Sequence, residues 1–448
     1  MGKGTSLIYS DRSDVGRRRA SNQDSRAVLP PASPQQYRTR GWLFLVADGM
    51  GAHAAGEMAS GIAAERVPLV YEKSAQQSPP LALRRSIEQA NAEINAKGES
   101  AAEFHGMGTT CTTLVLLPRG ALVGHVGDSR AYRVRGGRIE QLSRDHSLVW
   151  ELELAGGMSR EQAAGAAPKN IITRSMGPHP DVVVDLEGPF PIEEGDTFVL
   201  CSDGLSGQVA DDEIGLFAAE LEPPEATAAL VGLTLLRGAP DNVTVIAARA
   251  GAEEVSTASA GDQPWQLTEE PAGPAGRAAV PWQWLGIAAV SLFAALLLFP
   301  KSDLMQWLRS VINADVAEAV GWLGCGAAVL VAIAATLMAL LGLLAPAGGE
   351  GRVLPPGRQI GKGPYRSGDC APSEPLLERL VASVEAAAAG LGDADRERTT
   401  AILGRVRRHV AEHAFHEAVV ALAEALAIYT RAVEQARGDT VRSAASES

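Results

Sequence analysis

Cysteine is scarce. Four occur in 448 residues (Cys111, Cys201, Cys325 and Cys370), far apart and with no CxxC pair. That points to a reducing compartment and against a thiolate zinc site. Histidine is thin too, at 8 residues, and no cluster of His and Cys suggests zinc. Basic charge is also short: 40 Lys and Arg stand against 53 Asp and Glu, a net charge of −13. A surplus of that sign argues against nucleic acid as a partner. The opening stretch "MGKGTSLIYSDRSDVG" lacks the apolar run of a signal peptide. "MGKGTS" fits the myristoylation pattern formally, through Gly2 and Ser6, and is taken as a chance match.

What is present suggests two or three units, since 448 residues are long for one domain. Residues 1–250 read as one α+β domain. Strands are expected at 42–47, 112–118, 121–126, 130–135, 138–143, 181–186, 196–201 and 242–249. Gly136-Gly137 and "PRG" at 118–120 are tight-turn signals that make neighbouring strands antiparallel. Helices are expected near 54–76, 80–97, 147–155, 159–165, 211–220 and 224–237. Antiparallel strands with flanking helices give a layered domain.

The stretch 251–281, rich in Ala, Gly, Pro, Ser and acids, reads as a flexible linker. Two apolar runs follow: 282–299 holds no charge in 18 residues and 320–344 none in 25. Both are expected to cross a membrane, with Trp282 and Trp284 at the interface. The connection 300–319 is too short for a domain. More basic residues follow the second run (Arg352, Arg358, Lys362, Arg366) than lie in the connection, so both flanking parts are expected in the cytoplasm. A bacterial inner-membrane, multi-pass protein is the expectation. After a second linker, 345–373, a helical tail domain is expected over 374–438. Phe415, Val419, Leu422, Leu426, Tyr429 and Val433 form a heptad-like stripe there. Its partner is either the preceding helices or another chain, which leaves self-association through 376–437 open.

The stretch "LFLVADGMG" (43–51) ends a strand on an acid and then removes side chains with glycine. Asp24 in "NQD", Asp128 in "GHVGDSRAY", Asp203 in "FVLCSDGL" and Asp241 in "APDNVTVI" repeat the arrangement of Asp48. One Asp-Gly after a strand reads as a turn. Five acids at strand ends are different, because converging carboxylates repel unless cations lie among them. Oxygen ligands suit hard divalent ions. Gly49 allows its carbonyl to approach a metal and leaves room for water. Arg19 precedes Asp24 by five residues, and a guanidinium beside such a cluster suits a phosphate.

The motifs "GRRRASNQDS", "VADGMGAHAAGEMAS", "GMGTTCTTLVL", "VGDSRAYRV", "RDHSLVWEL", "NIITRSMG", "LCSDGLSGQV" and "DNVTVIAA" occur in this order. Together they resemble the bacterial branch of the metal-dependent protein phosphatases, the protein phosphatase 2C type, over roughly residues 6–250. The resemblance implies a β-sandwich of two antiparallel sheets flanked by helices, with two Mn²⁺ or Mg²⁺ ions, and a third in some members, at one end. By it, Asp48 would bridge two ions, the Gly49 carbonyl would bind the second, and Asp203 and Asp241 would complete the first. Asp128 would hold the third, weaker ion and Asp24 would act through water. Arg19 would bind phosphate, and water between the metals would attack phosphoserine or phosphothreonine in substrates of a bacterial Ser/Thr kinase.

Three residues depart from the family pattern. Gln23 stands where many members have Glu, Ala52 where a glycine is usual, and Met50 where eukaryotic members carry a proton-donating His. His53 is nearby but unmatched, and is read as a surface histidine at a helix start. Cys201 is read as core. The rival reading is a non-catalytic phosphoprotein-sensing module signalling through the membrane hairpin. Retention of Asp48, Asp203 and Asp241 argues for the enzyme.

Overall fold

The computed structural model describes residues 7–51, 54–155, 160–166, 168, 171–257, 262–268, 282–299, 301–344 and 353–447. Ala52 and His53 lie outside these. The chain forms two compact units, Met1–Gln266 with Leu354–Ser448, and Leu267–Val353.

The larger unit opens with β1 (Ile8–Asp14), β2 (Asp24–Leu29), α1 (Pro34–Arg40) and β3 (Trp42–Met50). The helices α2 (Ala55–Lys73) and α3 (Pro79–Ser100) follow. Then come β4 (Gly108–Thr109), β5 (Cys111–Leu117), β6 (Gly120–Val126), β7 (Arg130–Arg135) and β8 (Arg138–Gln141). After α4 (Leu148–Leu154) and α5 (Arg160–Ala166) the sheets resume with β9 (Asp185–Phe190) and β10 (Thr197–Cys201). The short α6 (Asp203–Ser206), α7 (Asp211–Glu220), α8 (Pro223–Leu236) and β11 (Val243–Arg249) close the sandwich.

One sheet runs β1-β11-β10-β7-β8 and ends on a strand from the tail, Arg366–Asp369; the other runs β2-β3-β5-β6-β9, with β4 beside β3. Each pairing is antiparallel. The period of two along the strands builds the layers. Phe198 and Leu200 face Trp42, Phe44, Leu114 and Ile246 between the sheets. Val199, Cys201, Val243 and Val245 face outward into a second core with α7 and α8.

Three differences from the sequence reading have local causes. β1 and β2 went unread because they are sheet edges that bury little and are largely polar; Ser13 Oγ, for example, bonds Thr244 Oγ1 at 2.7 Å. The strand expected at 181–186 lies at 185–190, where Leu186 and Phe190 are buried and paired with β6, while Val183 is exposed. The linker expected over 251–281 begins as ordered chain: Ser256 N donates to the Ile192 carbonyl and Thr257 N to that of Pro118. Residues 258–261 and 269–281 lie outside the described residues.

The tail was expected to form a helical domain of its own. Instead α12 (Glu374–Ala388), α13 (Asp393–Ala411) and α14 (Phe415–Glu447) share the outer core with α7 and α8. Val419, Leu422 and Leu426 of the apolar stripe are fully buried there. The approach is close at Gly232 of α8, where an added Cβ would stand 2.8 Å from Thr430 Oγ1. The linker expected over 345–373 carries, in its described part, the edge strand Arg366–Asp369 paired with β8.

The smaller unit contains α9 (Trp282–Leu298), α10 (Asp303–Val311) and α11 (Ala314–Leu344). The long helix begins at Ala314 rather than 320, capped by Asn313, whose Oδ1 accepts from Asp315 N. Ala314–Met338 is long and apolar enough to cross a membrane, and Trp284–Leu298 is a shorter apolar helix.

Candidate active site

The five acids of the sequence reading come together at one end of the sandwich. Asp24 and Asp48 face each other across the β2–β3 pairing. Asp128 follows β6, Asp203 opens α6 directly after β10, and Asp241 lies just before β11.

Glycines permit the convergence. A Cβ on Gly204 would stand 1.8 Å from the Asn242 carbonyl oxygen, so only glycine lets the Asp203 turn meet the Asp241 turn. A Cβ on Gly49 would stand 2.2 Å from the Gly56 carbonyl oxygen and 2.5 Å from that of Gln23. The glycine after Asp48 thus serves the packing of α2 and the Gln23 loop against β3. Side chains complete the scaffold. Asn242 Oδ1 accepts from Gln23 N at 2.8 Å, and its Nδ2 donates to the Val15 and Ser21 carbonyls. The Asp48 amide donates to Thr110 Oγ1 at 2.8 Å, and Thr109 Oγ1 donates to the Asp48 carbonyl.

The electrostatics are those of crowded carboxylates. Burial, then the charges of Asp203 and Asp241, raise Asp24 to about 7, although Ser202 Oγ donates to its Oδ2 at 2.8 Å. Burial, followed by the charges of Asp24, Asp203 and Asp128, pushes Asp48 well above the carboxylate range, and burial likewise raises Asp203. Burial and the charges of Asp203 and Asp145 do the same to Asp128. Asp24 Oδ1 and Asp128 Oδ1 are buried without a hydrogen-bond partner. Among the described residues no three Asp, Glu, His or Cys side chains stand as a ready-made ligand set. The fit to a cation rests on donor chemistry: hard oxygens, two of them orphaned, and like charges that a divalent ion would neutralise. Arg19 is exposed, with Nη2 2.7 Å from Asp241 Oδ2, and its charge is held by Asp241, Asp48 and Asp203.

A cavity of about 310 Å³ opens beside Asp128, Asp203 and Asp241. Its walls include residues to which the sequence reading assigned no role. Asp145 receives Arg130 Nε and Nη2, the latter at 2.7 Å, and Gln141 Nε2 at 2.7 Å. Trp150 of α4 and Arg366 of the tail also line it. Asp145 and Trp150 lie in the motif "RDHSLVWEL", whose order along the chain was the available signal; nothing local marked Arg366. Cys201 is buried in the outer core, and burial pushes its thiol up to about 12, which disqualifies it as a nucleophile.

The chain is similar in sequence to known proteins. The family model for Protein phosphatase 2C matches residues 17–232. The serine/threonine phosphatase stp of Listeria welshimeri is 32% identical over 240 residues, which is 52% of this chain and 92% of that protein. The serine/threonine protein phosphatase PstP of Mycobacterium tuberculosis is 34% identical over 246 residues, 54% of this chain and 45% of its own length. A crystal structure of PstP from Mycobacterium tuberculosis is 34% identical, covering 55% of this chain and 99% of that one, with a TM-score of 0.49. The PstP catalytic domain has also been solved with two manganese ions, at 33% identity, with 54% and 97% covered and a TM-score of 0.46. The chain belongs to the protein phosphatase 2C family, a class of metal-dependent serine/threonine protein phosphatases.

Proposed function

We propose that this protein is a membrane-anchored phosphatase that hydrolyses phosphoserine and phosphothreonine in proteins, among them substrates of a bacterial Ser/Thr kinase. The observation that carries the reading is the convergence of Asp24, Asp48, Asp128, Asp203 and Asp241, the last three of them on a cavity, with two orphaned carboxylate oxygens. Asp48, Asp203, Asp241 and the Gly49 carbonyl would hold two Mn²⁺ or Mg²⁺ ions, Asp128 would hold a third, and Asp24 would act through water. When bound, such ions supply an activated water and offset the charge on the phosphoryl oxygens. Arg19, half-exposed and tethered to Asp241, would reach the phosphate with the donors of its fork that the tether leaves open. Cys201 takes no part, and no covalent phosphoenzyme is formed.

Anchoring is supported by the charge-free helix within Ala314–Met338 and by the shorter Trp284–Leu298. Phe293, Leu296, Leu323, Leu330 and Ile333 are exposed, as lipid-facing residues would be. In this reading both helices span the inner membrane and both flanks are cytoplasmic. The test is hydrolysis of a phosphothreonine peptide by detergent-solubilised full chain. Activity with Mn²⁺ and none in excess EDTA is expected; full activity in EDTA would refute the reading.

A further inference from the structure

The segment that leads the chain back from the apolar hairpin is built into the sandwich. Ile360 exchanges two backbone hydrogen bonds with Gly188 of β9, and Tyr365 N donates to the Gln141 carbonyl of β8. The segment therefore straps one sheet to the other. Glu187 of β9, 3% exposed, is satisfied by it: Oε2 accepts from Lys362 N at 2.8 Å and Gly363 N at 2.9 Å, and Oε1 accepts the Tyr365 hydroxyl. Glycine suits position 361, where φ is +78° and an added Cβ would press on the Glu187 carboxylate.

The strap ends at the cleft. Trp150 is the buried residue of α4 among those described. The Arg366 guanidinium lies 3.7 Å from the centre of its ring, and Tyr365 meets the ring edge-on at 6.1 Å. Arg366 Nη2 also contacts Glu153 Oε2, one turn further along α4. Arg366, Trp150 and Glu153 line the same cavity as Asp128, Asp203 and Asp241. One guanidinium thus stacks on a ring and pairs with a carboxylate of the same seven-residue helix, whose start is held separately by Leu148 N donating to the Ile171 carbonyl.

We propose that Arg366 is a positioning residue that fixes α4 as a wall of the cleft, so that chain beyond the apolar hairpin helps select phosphopeptide over small phosphate esters. This rests on the phosphatase reading. A long substrate touches the wall flanking the phosphate, whereas a small aryl ester reaches only the acids. Misplacing the wall therefore weakens binding of the longer ligand.

The experiment uses detergent-solubilised full chain with Mn²⁺ and compares a phosphothreonine peptide with p-nitrophenyl phosphate. In Arg366→Ala the ratio of the two kcat/KM values should fall about tenfold against the peptide, carried by the peptide's KM. Arg366→Lys should not rescue it, since an ammonium neither stacks nor forks as a guanidinium does. The strand's backbone pairing with β8 survives both changes, and thermal unfolding checks that each variant is folded. An unchanged ratio in folded Arg366→Ala, or full rescue by Lys, would overturn the inference. Wild-type chain inert towards both substrates would instead count against the phosphatase reading and remove the basis of this one.

Discussion

Asp48 and Asp203 are buried together, and the charge of Asp203 helps to raise Asp48, so a cation between them would relieve both. Asp203→Asn should lower kcat at saturating Mn²⁺ by at least roughly 10²- to 10³-fold. Arg19→Ala should act mainly on KM, raising it about 10- to 100-fold, because its contact with phosphate is made in ground and transition states alike. An unaltered KM would remove Arg19 from the phosphate site. Asp24 provides a pH signature. Its folded value near 7 lies above the unfolded carboxylate value of about 3.9. The folded chain therefore binds the extra proton between about pH 4 and 7, and stability falls as pH rises through that window. In EDTA the Tm should decline over this range. Mn²⁺, which favours the ionised acids, should flatten the decline; equal slopes with and without Mn²⁺ would contradict the assignment. These acids were legible in the sequence because each belongs to a local pattern of strand, acid and small neighbour. The reason for Gly49 was not, since Gly56 and Gln23 meet it only once α2 and β2 are packed.

The strands β3, β5, β6, β7, β8, β10 and β11 and the helices α2, α3, α4, α5, α7 and α8 were legible in the sequence, mostly as apolar or alternating runs bounded by turn signals. Edge strands escaped, because an edge buries little and alternates weakly. The stripe from Phe415 to Val433 was visible, but its partner was not. Sequence periodicity shows that a face must be covered and is silent about which of several faces covers it. The structure pairs α14 with α8 and α13 in the outer core. Leu422→Ala and Leu377→Ala, both fully buried, should each cost about 2–5 kcal/mol in urea unfolding followed by circular dichroism. A loss below about 0.5 kcal/mol, the range of surface changes, would mean that the tail helices do not share the core. Deleting 374–448 would bare the outer faces of α7 and α8, and is expected to yield an aggregation-prone enzyme rather than a clean catalytic domain.

At the scale of the whole molecule, the division into catalytic domain, apolar helices and tail follows sequence composition, while the contacts cut across it. Glu187 and Tyr365 are 178 residues apart, Glu153 and Arg366 213, and no window of sequence joins such pairs. A chain ending at 250 would lose the strap's three hydrogen bonds to the Glu187 carboxylate, each worth about 0.5–1.5 kcal/mol net. Its Tm should lie well below that of the full chain. Membrane topology has its own check: cysteine placed at Gln306 should be labelled from outside intact cells, and cysteine at Ile360 should not; the reverse pattern would invert the anchor. The measurement closest to the central claim is phosphate release from a phosphothreonine peptide by full chain in detergent, titrated with Mn²⁺ after EDTA treatment, for wild type and Asp203→Asn. Activity that rises from background with Mn²⁺ in the wild type and stays at background in Asp203→Asn is the predicted result. Release that persists in EDTA, or is equal in the two proteins, would contradict a metal-dependent phosphatase built on these acids.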